Sequence, residues 1–263
     1  MKTKLLSQTL ALTLAFASTF ALAQTPEQQG LEISKQAKIK DMGWTDNTAD
    51  MLMVLKNAQG QESTREIKIQ SLEVQDDGDK SLTVFNKPRD VKGTAFLSFS
   101  HPVGADDQWL YLPALKRVKR ISSRNKSGPF MGSEFAFEDL SSFEVEKFTY
   151  KYLGEETVHN EPSHKIEQYP VDENSGYTKR IVWLDKSELR IQKIDFYDRK
   201  DSLLKTLTFE GYKLYLGKHW RPDRQVMVNH QNGKSTELAW RNYEFKTGLN
   251  DGDFNKNSLK RAR

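Results

Sequence analysis

The chain has 263 residues, of which 37% are hydrophobic and 29% are charged, and its formal net charge is +4. Beyond the first two dozen residues no apolar run approaches the ~18 residues that span a bilayer, which excludes an integral helical membrane protein. The chain contains no cysteine, which excludes disulfides, zinc–thiolate sites, iron–sulfur clusters and a lipid-modified N-terminal cysteine.

Residues 1–23 have the features of a secretory signal peptide. Lys2 and Lys4 form a basic start, an apolar stretch follows, and Ala21-Leu22-Ala23 is a cleavage pattern of small residues. An N-terminal membrane anchor is the alternative, which the short apolar stretch disfavours. Cleavage leaves residues 24–263 as one domain with a charge of +2, so nucleic-acid binding is not expected. The flanks are typical of bacterial proteins, and we expect a soluble periplasmic protein that is not lipid-anchored.

The domain is predicted to begin with a helix, after which the apolar period changes to two. Thr25 can cap the helix, Pro26 suits its first position, and Gln28 completes a capping box. The helical pattern stops near Gly43. Segments with a period of two, separated by turn sequences, are predicted strands. They cover residues 51–55, 65–74, 82–85, 94–100, 108–112, 148–153, 163–169, 179–185, 189–197, 203–215, 219–230 and 236–245.

The strand pattern predicts a mainly β protein. About eleven or twelve short strands, joined mostly by hairpins, are expected to form a large antiparallel sheet that curls into a barrel or half-barrel. Residues 133–140 are predicted to form a short helical turn. A short C-terminal helix is expected around Phe254 and Leu259.

One sequence block points to a known family. Residues 109–121 read W-L-Y-L-P-A-L-K-R-V-K-R-I, and F-M-G-S-E-F and E-D-L follow at residues 130–135 and 138–140. Together with Gly43-Trp44, residues 51–55 and Arg65, this block resembles the outer-membrane lipoprotein-sorting-like proteins, relatives of the periplasmic carrier LolA and its receptor LolB. The resemblance extends over roughly residues 31–259.

The resemblance implies an unclosed antiparallel barrel, a small helical lid over its open face, and an apolar cavity that holds acyl chains. Family members often accompany inner-membrane exporters of the resistance–nodulation–division (RND) type. A LolB-type receptor is anchored through a cysteine, which this chain lacks, so the resemblance implies a soluble carrier. This chain is longer than LolA carriers and must accommodate extra strands or loops.

Several predicted strands are apolar on both faces, which a sheet with one face in water does not need. An ordinary filled core is one explanation, and a cavity on one side of the sheet, which the resemblance favours, is the other. Strand alternation selects the candidate cavity-lining, lipid-binding side chains. They are Leu97, Phe99, Trp109, Tyr111, Trp183, Phe196 and Phe209.

The middle of the chain holds a basic run and a glycine-flanked loop. Residues 116–126 carry six basic side chains and no acid. Arg117 and Arg120, with Lys116 and Lys119, are candidates to contact lipid phosphates, a membrane surface or an acidic partner. The alternative is a solvated loop balanced by nearby acids. Two apolar residues between Gly128 and Gly132 are predicted to form a lid loop, or else a plain turn with its apolar side chains inward. They are Phe130 and Met131.

Motifs for catalysis or metal binding are not found. The sequence lacks H-E-x-x-H, G-x-S-x-G, an EF-hand loop and a phosphate-binding glycine loop. We therefore expect no enzyme, no metal and no cofactor. The leading hypothesis is a soluble periplasmic carrier of a lipid or lipidated cargo, working with an RND-type exporter and touching a membrane surface transiently. The alternatives are a non-enzymatic adaptor that docks to an exporter through its basic loop and, third, an enzyme acting on envelope lipids or glycans.

Overall fold

The computed structural model describes residues 24–261, without the side chain of Ser258. The predicted signal peptide, residues 1–23, lies outside this range. The predicted first helix is confirmed as α1 (Pro26–Asp41), with Thr25 as its cap. The Thr25 hydroxyl accepts a hydrogen bond from the Gln28 backbone N–H at 3.2 Å, and the Gln28 side chain accepts one from the Thr25 N–H at 3.0 Å. Within the described residues, no helix has the length and apolar character needed to cross a membrane.

The described residues form one sheet of thirteen antiparallel strands. The strands are β1 (Asp46–Lys56), β2 (Glu62–Leu72), β3 (Lys80–Lys87), β4 (Ala95–Phe99), β5 (Asp107–Leu112), β6 (Arg117–Ile121), β7 (Phe148–Val158), β8 (Glu161–Pro170), β9 (Tyr177–Asp185), β10 (Ile191–Asp198), β11 (Leu203–Tyr215), β12 (His219–Asn229) and β13 (Ser235–Phe245). Their order is β6-β5-β4-β3-β2-β1-β13-β12-β11-β10-β9-β8-β7, so the two edges, β6 and β7, are not paired and the sheet is an unclosed barrel. The predicted fold class is confirmed.

Strand β6 is the one strand that the sequence pattern did not indicate, because it lies inside the basic run. Only two of its five residues are apolar, Val118 and Ile121. It forms an edge of the sheet, where charged side chains can remain in water and also discourage pairing with a second sheet. Its neighbour β5 holds it through a five-residue register, from Gln108 opposite Ile121 to Leu112 opposite Arg117.

The sheet is strongly curled. β5 and β11 stand seven positions apart in the strand order, which in a flat sheet is about 34 Å at ~4.8 Å per strand. Yet one short segment contacts both strands. The Gln108 side-chain amide on β5 donates to the Phe137 carbonyl at 3.0 Å, and the Lys205 ammonium on β11 donates to the Glu134 carbonyl at 2.8 Å. Three residues of chain reach only about 10 Å, so the sheet must bend around this segment.

Residues 122–147, here called the crossing segment, lie inside that bend and correspond to the expected helical lid. Within it, 3-10 turns form at Ser123–Asn125, Phe137–Leu140 and Val145–Lys147. Its Phe130 is 1% exposed, with its ring 5.8 Å from that of Phe85 and 5.2 Å from that of Phe96. Full burial of such a side chain contributes about 2–3 kcal/mol. The crossing segment is therefore part of the core at this end of the concave face.

Two apolar clusters cover the two faces of the sheet. The larger cluster occupies the concave face and includes Met53, Ile67, Phe85, Phe96, Ile166 and Met227. The smaller cluster lies on the convex face of β3, β4 and β5, under Phe254 and Leu259 from the C-terminal segment. Leu259 belongs to a 3-10 helix, Lys256–Arg261, at the place where the C-terminal helix was predicted. The two covered faces explain why these strands are apolar on both sides.

Helix α1 packs against the edge strand β7. Gly30 makes the close approach possible, because a Cβ atom there would lie 3.0 Å from the Tyr152 backbone nitrogen and 3.2 Å from the Lys151 carbonyl carbon. The next turn buries Ile33 in the concave cluster. The helix thus forms a wall at the open side of the curl.

Candidate functional site: a cavity on the concave face

The concave face is not completely filled. A cavity of about 720 Å³ remains between the sheet, α1 and the crossing segment. This volume lies within the range of ~300–1,000 Å³ that is typical of ligand sites. Most of its sheet wall is apolar and comes from β2 and from β9 to β13. These side chains are Ile69, Val182, Leu184, Ile194, Phe196, Leu207, Phe209, Leu238 and Trp240.

Two of the predicted lining residues, Phe196 and Phe209, lie in the cavity wall. The other predicted residues lie on the convex face, so their placement in the cavity is corrected. Leu97, Phe99, Trp109 and Tyr111 pack in the convex cluster. Trp183 lies under the ammonium groups of Lys165 and Lys193, at 5.1 and 4.1 Å from its ring.

The correction is a shift of one residue along β4, β5 and β9. Phe96, Leu110 and Val182, the neighbours of the predicted residues, belong to the concave cluster. Successive side chains of a strand point to opposite faces, so a one-residue difference exchanges the whole set. Both faces are apolar here, and the alternation alone carries no information about which face is concave.

The glycine-flanked loop turns its apolar residues inward. Phe130 is buried in the concave cluster, and Met131 is half-buried against it. The Phe130 backbone N–H donates to the Phe135 carbonyl at 2.7 Å, which closes the turn. Neither side chain lines the cavity. The arrangement matches the inward-turn alternative, and a lid role for this loop stays a prediction.

The basic residues lie on the exposed edge of the sheet. Lys116 follows the turn that precedes β6, and Arg117, Lys119 and Arg120 are exposed along β6. Arg120 pairs with Asp107 on the neighbouring strand. Among the described residues, the other three form no ion pair.

Three of the nearby acids that could have balanced this run are engaged elsewhere. Glu144 pairs with Lys38 of α1 at 3.1 Å, Asp139 pairs with Lys205, and Glu134 accepts a hydrogen bond from Asn229. The basic edge therefore faces solvent without these counter-charges. Its contact with phosphate or an acidic partner stays a prediction.

A buried ion pair anchors the crossing segment at the polar end of the cavity. Lys205 and Asp139 have side chains only 4% and 5% exposed, and their Nζ and Oδ2 atoms are 2.7 Å apart. Asp139 also accepts hydrogen bonds from the Tyr177 hydroxyl at 2.8 Å and from the Ala136 backbone N–H at 2.7 Å. Burial, together with the nearby carboxylates of Asp139 and Glu138, raises the pKa of Tyr177 well above its usual range, so the Tyr177 hydroxyl remains a hydrogen-bond donor.

Glu138 ties the same segment to the loop before β9. Its carboxylate accepts hydrogen bonds from the Ser175 hydroxyl at 2.7 Å and the Gly176 backbone N–H at 2.8 Å. Burial raises the pKa of Glu138, because water is excluded from its charged form. Within residues 24–261 no group of three or more His, Asp or Glu side chains has the arrangement of a metal site.

Arg180 is the functional candidate that the sequence analysis missed. It lies on the concave face of β9 in the same register as Val182 and Leu184 and forms part of the cavity wall. Its Nε donates to the Gln168 side-chain oxygen at 2.6 Å, and its guanidinium carbon is 4.0 Å from the ring centre of Phe148. Burial lowers the pKa of Arg180 to about 10. The sequence could have indicated this residue, because a charged side chain alternates in step with the inward-facing Val182 and Leu184 of the same strand.

The fold and the cavity can be compared with known proteins. A solved domain from Vibrio parahaemolyticus, provisionally named an outer membrane lipoprotein-sorting protein domain, is 61% identical over 89% of this chain and 99% of its own length, with a TM-score of 0.88. The chain belongs to the outer-membrane lipoprotein-sorting-like family. The resemblance noted in the sequence is confirmed.

Further solved structures are similar over most of the chain. A DUF1329 family protein from Desulfovibrio piger is 29% identical over 90% of this chain and 100% of its own, with a TM-score of 0.85. A LolA superfamily protein from Nitrosomonas europaea shares the fold at 21% identity, over 89% of this chain and 99% of its own, with a TM-score of 0.69. A family model described as an uncharacterized protein matches residues 77–261. No curated protein matches the chain.

Proposed function

We propose that this protein is a periplasmic carrier that shields the acyl chain of a lipid or lipidated protein in its concave cavity. The observation that carries the proposal is the apolar cavity of about 720 Å³ in an otherwise packed concave face. Each methylene group moved from water into such a site contributes about 0.8 kcal/mol, so a sixteen-carbon chain gains on the order of 12 kcal/mol before ordering costs. No catalytic group is needed for this task.

The predicted signal peptide and the similar solved structures support the same function. The predicted signal peptide, residues 1–23, implies export across the inner membrane. The most similar solved domain described above carries a name that refers to lipoprotein sorting at the outer membrane. An acyl chain cannot cross the aqueous space between two membranes unshielded, and a cavity of this kind solves that problem.

Helix α1 is the wall that moves to admit cargo in this proposal. Ion pairs hold its C-terminal half at the cavity rim, from Lys38 to Glu144 and from Lys40 to Glu188, the latter at 2.8 Å. Asp41 pairs with Arg221 of β12 at 2.6 Å. The Lys40–Glu188 pair is exposed on both sides and contributes only about 0–1 kcal/mol, so it can open at small cost. The Glu144 carboxylate is buried, so opening its pair with Lys38 costs more.

A pair of matched substitutions tests the cavity. Phe209 lies in the cavity wall, whereas Phe99 lies on the convex face. Phe209→Trp adds volume inside the cavity and is expected to weaken binding of a sixteen-carbon acyl probe at least tenfold. Phe99→Trp makes the same chemical change on the other face and is expected to leave binding unchanged. Fluorescence titration of the detergent-free mature protein measures both.

The same measurements can contradict the proposed carrier function. Equal binding by both variants would show that the probe does not occupy this cavity. Native mass spectrometry of the protein from periplasm provides an independent reading, because a carrier is expected to retain a stoichiometric acyl adduct. A protein without an adduct that also ignores added lipid would contradict the carrier function.

A second candidate function, an adaptor that docks to an envelope exporter, is favoured by the basic edge of the sheet. Lys116, Arg117 and Lys119 are exposed without ion pairs among the described residues, and the neighbouring Leu115 is 59% exposed. Such an edge suits a membrane rich in anionic lipid or an acidic surface of an RND-type exporter. The same edge can serve a carrier during its transient membrane contact.

Charge reversal tests the role of the basic edge. The double variant Arg117→Glu and Arg120→Glu is expected to slow cargo transfer to anionic liposomes at low salt. Lys234→Glu with Lys246→Glu reverses two exposed charges elsewhere and serves as the control. Unchanged transfer by the first variant would remove the basic edge from the mechanism. Transfer that slows equally in both would indicate bulk charge rather than a docking site.

A further inference from the structure

Arg180 is a cation in a mostly apolar cavity wall, and no described residue forms an ion pair with it. Among residues 24–261 its only hydrogen-bond acceptor is the Gln168 side-chain oxygen, reached by Nε at 2.6 Å. The two terminal nitrogens have no acceptor in this part of the chain. Arg180 is half-buried, and holding a charge partly out of water without a partner is costly, so its presence here calls for a reason beyond packing.

The surrounding aromatic rings hold the guanidinium in place without neutralising it. Its carbon lies 4.0 Å from the ring centre of Phe148 and 5.7 Å from that of Phe143. Both rings also belong to the cavity wall. Stacking fixes the plane of the Arg180 guanidinium and leaves its N–H edge available. This edge binds a carboxylate or a phosphate through two parallel hydrogen bonds.

Two acids of the cavity wall that act on Arg180, Asp139 and Glu138, are bound to other groups. Asp139 is neutralised by Lys205 and is saturated by the Tyr177 hydroxyl and a backbone N–H. Glu138 is held by the Ser175 hydroxyl and the Gly176 N–H, and its burial raises its pKa. Neither carboxylate comes within ion-pair distance of Arg180. This end of the cavity therefore keeps an available positive charge.

We propose that the cavity selects acyl ligands with an anionic head group, a carboxylate or a phosphate monoester, which pairs with Arg180. The inference rests on the proposed carrier function and narrows its cargo. A neutral acylglycerol or the acyl part of a lipoprotein has no group that compensates the guanidinium. A single-chain ligand places both its apolar chain and its anionic head against the same wall.

Three ligands with the same sixteen-carbon chain test the proposal. They are palmitate, 1-palmitoyl lysophosphatidic acid and 1-monopalmitoylglycerol, each used to displace the neutral dye Nile red from the delipidated protein. At least one acid is expected to bind about 10- to 100-fold more tightly than the neutral glyceride, the range given by hydrogen bonds to a charged group. The preferred acid identifies the source of the head group as a free fatty acid or a phospholipid.

Three variants separate the head-group contact from general binding. Arg180→Met is expected to remove the preference for acids while keeping glyceride binding within about threefold. Arg180→Lys keeps the charge without the fork and is expected to retain part of the preference. Arg241→Gln removes an exposed arginine on β13 and is expected to behave as wild type.

The failure of this proposal is distinguishable from failure of the carrier function. Equal affinity for the three ligands, or a preference for acids that persists in Arg180→Met, would overturn the role of Arg180 and leave the carrier function standing. A wild-type protein from which none of the three ligands displaces the dye would overturn both.

Discussion

Replacing Arg180 by methionine is predicted to have little effect on the stability of the ligand-free protein. Burial lowers the pKa of the guanidinium to about 10, against about 12.5 for a free arginine. Arg180 therefore remains charged at neutral pH, but its charged form is less favourable in the folded protein than in water by roughly 3 kcal/mol, since one pKa unit corresponds to about 1.4 kcal/mol. Water that enters the cavity solvates the guanidinium and reduces this free-energy cost.

Methionine removes that cost and also removes two favourable contacts. The charged hydrogen bond to Gln168 is worth about 1.5–3 kcal/mol, and stacking on Phe148 adds about 0.5–2 kcal/mol. These terms nearly cancel, so we expect the free energy of unfolding to change by less than about 2 kcal/mol. Urea unfolding followed by tryptophan fluorescence measures it.

Lys205→Met is the reference for a partnered cation. It leaves Asp139 buried without its counter-charge, which typically costs about 3–5 kcal/mol. A loss of that size in Arg180→Met would refute the reasoning, because it would show that the guanidinium is paired inside the folded protein. A saturating acid ligand should stabilise the wild type more than Arg180→Met, since only a ligand bound to the folded state shifts unfolding.

Two further predictions concern the elements around the cavity. Gly30→Val places side-chain atoms against the Tyr152 backbone and is expected to cost about 1–3 kcal/mol, whereas a thermal melt equal to wild type would contradict the close packing of α1 on β7. Glu138→Gln removes the ionisation, while its amide oxygen can accept from the Gly176 N–H and its amide nitrogen can donate to the Ser175 hydroxyl. Because burial raises the pKa of Glu138, its contribution to stability is present below the usual pKa of a glutamate and is lost as the pH rises through the raised value. Unfolding measured between pH 4 and pH 7 should therefore show the variant gaining stability relative to wild type, and a constant difference would show that the pKa is not raised.

Local signals accounted for much of the fold. The helix start followed from Thr25, Pro26 and Gln28, because a capping box involves only neighbours in the chain. Most strands followed from the period of two, and the apolar character of both faces of β4 and β5 correctly indicated two covered faces. These features depend on contacts within a few residues or on burial alone. Local contacts and burial are both reflected in the pattern of residue types along the sequence.

The cavity itself depends on contacts between distant parts of the chain. The convex cluster forms because Phe254 and Leu259 return to cover β4 and β5, and this contact decided that Leu97 and Trp109 lie outside the cavity. The alternation of side chains assigns residues to two faces but does not indicate which face is concave.

The sequence by itself determined the capped helix, the alternating strands and the family. Only the tertiary structure decided which face is concave, that β6 pairs at the edge, and that Arg180 lacks an ion-pair partner among the described residues. The physical reason is that a side chain's partners in a curled sheet come from other strands and segments of the chain. Gln168, Phe148 and Arg180 meet only after three strands have paired.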